Sequence, residues 1–136
     1  MILKGRIFHF LDKGNIDNPE NSFEYIEKGG LVISGEKIID IGEFNKIILQ
    51  YPNYEVIDHK NNIIFPGFID LHNHFPQVQV IGSYGTQLLE WLRKYTFPEE
   101  SKFVSKDYSK QQAKKFIKLL ISNGTTTSVS FCSVHK

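Results

Sequence analysis

Nine residues, Pro66-Gly67-Phe68-Ile69-Asp70-Leu71-His72-Asn73-His74, constrain this chain more than any others. A Pro-Gly turn feeds a short apolar run that ends in two histidines one residue apart. Side chains alternate faces along a strand, so His72 and His74 project the same way, roughly 6–7 Å apart at the backbone, and can converge on one metal ion. A bare His-x-His pair is more often an ordinary surface or core pair. The Pro-Gly turn and the apolar strand make it read as half of a catalytic metal site. Asp70 shares that strand face and suits two roles equally, a partner behind the ligands or an anchor for the strand end.

The residues before Pro66 read mainly as strands. Ile2 to Phe10 is a first strand, and Gly30 to Gly42 is a hairpin of two β-branched runs joined at Gly35. Asp12 to Ser22, rich in Asn, Asp, Gly and Pro, is a loop within one domain. Glu43 to Gln50 suits a short helix closed by Tyr51-Pro52-Asn53, followed by short strands at Glu55–Asp58 and Asn62–Phe65. After the histidine strand comes a long excursion holding Gln77, then a helical segment from Gln87 to Tyr95 that ends near Phe97-Pro98. Asp107 is placed to cap a second helix running to about Ser122, with Ala113, Phe116, Ile117 and Leu120 on one buried face. Asn123-Gly124 supplies a left-handed stop, and Thr125 to Phe131 has the pattern of a strand covered on both sides. The second half thus reads β-loop-α-α-β, within an α/β class.

Composition narrows the partners. A formal net charge of +1, with the sixteen Lys and Arg residues scattered, gives no broad basic field for nucleic acid or an anionic membrane, so a small molecule is the expected partner. No apolar run approaches the roughly 20 residues of a membrane span, and the start lacks the apolar stretch of a signal peptide, which predicts a cytoplasmic protein. The single Cys132 cannot form an internal disulfide and reads as a small apolar residue beside a buried strand. The zinc deaminase pattern of His-x-Glu with Pro-Cys-x-x-Cys does not occur in this sequence.

The segment from Pro66 to His74 resembles the first-strand signature of the amidohydrolase superfamily, metal-dependent hydrolases and deaminases built on a (β/α)8 barrel. His74-Phe75-Pro76-Gln77, then Leu88 to Glu100, then Asn123-Gly124-Thr125-Thr126-Thr127 extend the likeness, in order, to the amino-terminal third of the guanine deaminases. The match runs from about Ile63 to the last residue. It implies residues 1–65 as amino-terminal strands of a small β-sandwich and residues 66–136 as the first β/α units of the barrel. About two of eight barrel strands are expected, so the fold is read as truncated. It also implies zinc or iron as cofactor, hydrolysis of guanine to xanthine and ammonia, and a homodimer in the full-length form.

Residue by residue, the resemblance assigns His72 and His74 as the first two metal ligands and Gln77 as a contact to the purine edge. An amide suits that edge because it offers both a donor and an acceptor. Trp91 falls in the segment that covers the pocket, although a tryptophan at helical spacing from leucines is as readily core. The family's remaining ligands, two histidines and an aspartate, and its proton-shuttling glutamate lie on later strands and have no counterpart here. No catalytic residue is therefore identifiable, and the chain alone is expected to be inactive. His9 and His59 read as structural or surface residues, and His135 as a rim residue rather than a ligand. Thr125 to Thr127 read as strand entry, since no glycine-rich strand-to-helix turn accompanies them. Asn73 and Phe75 depart from the usual family pattern. Two readings stand beside a guanine deaminase: another amidohydrolase acting on a cyclic amide or amine, and a non-catalytic remnant or interaction module.

Overall fold

The structure, a computed structural model, describes residues 1–11, 14 and 17–135. These form two compact units, Met1–Pro66 and Gly67–Lys136. Part of the expected 12–22 loop lies outside the described residues, and its far end carries a short 3-10 turn, Pro19–Asn21.

The first unit is a four-stranded sheet in the order β3-β2-β1-β4. Strand β1 (Ile2–Phe10) pairs antiparallel with β2 (Phe23–Ser34), which turns back antiparallel into β3 (Lys37–Glu43), and β4 (Val56–Ile64) joins β1 in parallel. The hairpin lies where its pattern predicts, but β2 begins seven residues before Gly30, because Phe23 already pairs with Phe10. The two short strands expected at Glu55–Asp58 and Asn62–Phe65 are one strand, irregular where the register slips from Lys4↔Asp58 to Arg6↔Ile63. Lys60 takes a positive φ of 54° at that irregularity. Neighbours on a strand face opposite ways, so Leu31 and Val32 enter different clusters. Val32 packs with Ile2 and with Ile47 of α1 (Phe44–Gln50), whereas Leu31 packs with Ile7 and Ile26.

In the second unit, β5 (Phe68–His74) and β6 (Thr125–Phe131) form a two-stranded parallel sheet. A 3-10 turn, Phe75–Val80, leaves β5 directly. Helix α2 (Leu88–Trp91) runs through a π turn, Leu92–Thr96, into α3 (Phe97–Ser101) and a further 3-10 turn, Lys102–Val104. The helical path therefore does not stop at Phe97-Pro98. Pro98 sits in the first turn of α3, just past the π turn, where the α ladder is already interrupted and a missing N–H costs least.

Helix α4 (Lys106–Ser122) is capped by Ser105, whose Oγ accepts from the Tyr108 N–H at 3.4 Å, and not by Asp107. Asp107 lies one residue inside the helix, where its charge still favours the N-terminal turn. Phe116 packs near Phe75 on the inner face of α4, and Gln112 is buried there with its Oε1 accepting from Gln79. Ile117, expected on that face, is 54% exposed. Val129 and Phe131 are likewise exposed, so β6 is not covered on both faces among the described residues. Gly124 ends α4 with φ +80° and accepts from the Phe68 N–H through its carbonyl at 2.8 Å, tying the helix end to the start of β5.

Gly67 shows why the turn before β5 needs glycine. A Cβ there would lie 2.0 Å from Thr126 Oγ1 and 2.7 Å from Thr126 Cβ, so any side chain would push the two strands apart. Gly67→Ala is expected to cost about 1–3 kcal/mol in urea unfolding, the range of core overpacking. An unchanged midpoint would mean that the close approach is not needed.

Candidate active site

His72 and His74 end β5 on one face, as the alternation requires, with ring centroids 5.5 Å apart and both rings exposed. Phe131, the last residue of β6, stands against both. Its ring stacks on His74 at 4.8 Å and 14° and lies tilted against His72 at 5.1 Å. The parallel register pairs His74 with Phe131 directly, which fixes one face of the histidine pair. Asp70 Oδ1 accepts the His72 backbone N–H at 3.0 Å, the anchoring role rather than a contact with either imidazole.

Gln77 follows from the 3-10 turn. Residues three apart eclipse in such a turn, so Gln77 sits over His74, its Nε2 3.5 Å from His74 Nδ1. The buried Pro76 and Val80 hold the turn in place. Gln77 Nε2 also donates to Glu100 Oε1 at 3.0 Å. The residue lies in this turn and not in an open loop, which gives its side chain a defined direction.

A cleft of about 300 Å³ opens beside these groups, lined by His74, Gln77, Val80, Trp91 and Phe116 among others. Trp91 is half-buried, and its Nε1–H donates to the Ser83 carbonyl at 2.9 Å. A Cβ on Gly85 would meet Trp91 Cβ at 2.6 Å, so the backbone at Gly85 lies close against the Trp91 side chain. Three of the four residues singled out from sequence thus share one cleft. The fourth, His72, stands next to it through its ring contact with His74.

Three contributors are not evident from sequence. Asn73 reaches across the sheet, Nδ2 donating to Ser128 Oγ at 2.7 Å, so one of the two residues that depart from the family pattern serves as a cross-strand clip. Phe131 and Glu100 depend on the β5–β6 register and on the π turn, and neither can be read from spacing. The end of a second parallel strand was the available clue for Phe131.

Next to Glu100, the side chain of Glu99 is buried and accepts from Lys102 at 2.6 Å and from the Tyr108 hydroxyl. Burial alone would raise its pKa, but these two bonds together with the charges of Lys102 and Lys115 outweigh burial and hold the carboxyl below its usual range. Burial, and then the Glu99 carboxylate, push Tyr108 up to about 12.

Elsewhere, His9 pairs with Glu24 at 3.0 Å and is a structural residue of the first unit. His135 and Cys132 line a separate cleft of about 300 Å³ with Phe75, Phe103 and Lys106. Cys132, which follows the last residue of β6, is exposed there.

Two imidazoles on one face suit zinc or iron, which imidazole nitrogen binds well, and the donor chemistry fits half of such a site. Among the described residues no third His, Cys, Asp or Glu joins them in a cluster able to hold a metal ion. No described helix is long and apolar enough to cross a membrane.

The sequence model of the Amidohydrolase family matches residues 63–135, which include the histidine strand and every lining residue of the cleft. The chain belongs to the amidohydrolase family. It is similar to guanine deaminase of Escherichia coli (strain K12), 43% identical over 124 residues that make up 88% of this chain and 28% of that protein. Among solved structures it is similar to E. coli guanine deaminase, with a TM-score of 0.89 and 37% identity over 98% of this chain and 32% of that one. Guanine deaminase from C. acetobutylicum, solved with guanine bound in the active site, gives a TM-score of 0.80 and 36% identity over 98% of this chain and 30% of that one. The chain spans 28% of the length of its E. coli curated relative, so this amidohydrolase sequence corresponds to the amino-terminal portion of its relatives.

Tyr108 yields a pH test of the frame beneath Glu100. Its folded pKa of about 12 lies above the ordinary 10.0, so its contribution to stability is complete below pH 10.0 and falls away as pH rises toward about 12. Tyr108→Phe should lose about 1.5–3 kcal/mol at neutral pH, the worth of a bond to a charged group, and should flatten the alkaline decline. The check is denaturant unfolding at a series of pH values, with tyrosinate absorbance followed alongside. Identical alkaline profiles for both proteins would contradict the assignment.

Proposed function

We propose that this chain supplies the opening part of a metal-dependent aminohydrolase that converts guanine and water to xanthine and ammonia. The sheet of the first unit would then be strands of a small β-sandwich, and β5 and β6 the first two strands of a (β/α)8 barrel. The observation that carries the reading is the cleft itself. An imidazole, an amide and an indole converge on about 300 Å³, a setting suited to a flat heterocycle with hydrogen-bonding edges. The guanine bound in the C. acetobutylicum relative supports that choice of ligand.

In this reading His72 and His74 would hold zinc or iron. When bound, such an ion supplies the Lewis acidity that makes water nucleophilic near neutral pH. Phe131 restricts the His74 ring to one orientation by stacking on it, and Asp70 fixes the backbone of His72. Gln77 orients the purine by its edge, and Trp91 walls the cleft against water. Two imidazoles are fewer than the about three protein ligands of a catalytic site, and no residue here is assigned the proton transfer to departing ammonia.

Three measurements test the proposal. In the assembled deaminase, His72→Ala should abolish metal retention and turnover together. Gln77→Ala should retain metal, measured by metal analysis after dialysis, and lower kcat/KM for guanine about five- to tenfold, as loss of one hydrogen bond would. Equal metal loss in both variants would contradict the separate roles. Residues 1–136 by themselves, with added zinc, should bind the metal weakly and release no appreciable ammonia from guanine. Robust turnover by this chain as a monomer would show that the site is completed by residues not assigned to it here.

A further inference from the structure

We propose that Glu100 is a positioning residue that locks the Gln77 side-chain amide with its oxygen toward the cleft, so that the cleft selects a ligand edge carrying an N–H donor. The proposal rests on the reading of the cleft as the substrate site. An ionised carboxylate only accepts hydrogen bonds, and Glu100 Oε1 lies 3.0 Å from one end of the Gln77 amide. That end must therefore be the NH2 group, since the carbonyl oxygen would be repelled. The same Nε2 lies 3.5 Å from His74 Nδ1, at the limit of hydrogen-bond distance, so the contact with Glu100 is the one that sets the orientation of the amide.

The nitrogen and oxygen of a planar amide point about 120° apart, so holding Nε2 against Glu100 turns Oε1 away from that carboxylate. Gln77 Oε1 makes no hydrogen bond among the described residues, and Gln77 lines the cleft. A free glutamine offers a donor or an acceptor with equal ease. Glu100 removes that choice, and the cleft then presents an acceptor. A ring N–H or an amino group satisfies it, whereas an edge of ring nitrogens or carbonyls leaves it desolvated and unpaired, which is costly.

Glu100 is itself fixed. It is half-buried on α3, one residue after the buried Glu99, whose bonds to Lys102 and to Tyr108 of α4 hold the helix in place. The rigid partner thus lies on a helix and the adjustable amide on the turn after β5, the arrangement expected of a positioning pair.

Two arms test the pairing separately from the function. In the 15N-labelled chain, a Gln77 side-chain amide proton should be shifted downfield and show a nuclear Overhauser contact to the Glu100 side chain. Glu100→Ala should move both Gln77 amide protons to positions of a solvent-exposed glutamine without unfolding the chain, as checked by its remaining spectrum. In the assembled, metal-loaded deaminase, Glu100→Ala should raise KM for guanine about five- to tenfold with kcat nearly unchanged, the mark of lost ground-state binding. The double variant with Gln77→Ala should be no worse than Gln77→Ala alone. Glu100→Gln, which keeps the shape and still accepts, should recover part of the loss. A Gln77 amide signal unmoved by Glu100→Ala, or additive effects in the double variant, would overturn the positioning role. A moved signal in a protein that never turns over guanine would uphold the pairing and defeat the functional reading.

Discussion

Parallel pairing of β5 with β6 is the constraint on which the candidate site depends. The ladder begins at the close approach of Gly67 to Thr126 and ends with His74 beside Phe131, so the strand that carries both imidazoles is held at each end. Between them Asn73 and Ser128 clip the two strands side chain to side chain. A register error of one residue would send His72 and His74 to the other face and remove the stacked phenyl ring in the same step. The parallel geometry also requires a long crossover, and that crossover supplies the rest of the cleft.

The crossover does more than connect. Its first turn places Gln77 over His74, its middle stretch carries Trp91, and the π turn at Leu92–Thr96 shifts the helix so that Glu100 meets Gln77. A π turn adds one residue to a helical circuit and rotates everything beyond it relative to a regular helix. Without that rotation, residues on α3 would face elsewhere. The Glu99 bonds to Lys102 and Tyr108 hold the shifted helix against α4, so a buried carboxylate in this frame secures the position of its neighbour.

Much of this was legible in the sequence where local chemistry decides the outcome. Strands Ile2–Phe10 and Thr125–Phe131 have the bounds that β-branched and apolar runs predict, and His72 and His74 share a face because alternation leaves no other choice. Gln77 and Trp91 were legible as cleft residues through the family resemblance rather than through periodicity. What escaped was set by distant contacts. Pro98 is a stop signal by local rules, but the π turn before it removes the bonds it would break. Ser105 captures the cap from Asp107 because the actual start of the helix depends on the 3-10 turn preceding it. The extra length of β2 comes from its pairing with β1, which no window on the residues Phe23–Gly29 contains. Glu100 and Phe131 entered the site for the same reason, as partners chosen by tertiary register.

The proposed metal site requires that His72 and His74 act as one pair of nitrogen donors. The most direct measurement is a zinc titration of the 15N-labelled chain, following the imidazole nitrogens of all five histidines. His72 and His74 should respond together, at the same zinc concentration, while His9, His59 and His135 keep their resonances. Response at only one of the two, or a stronger response at any of the other three, would contradict that pairing.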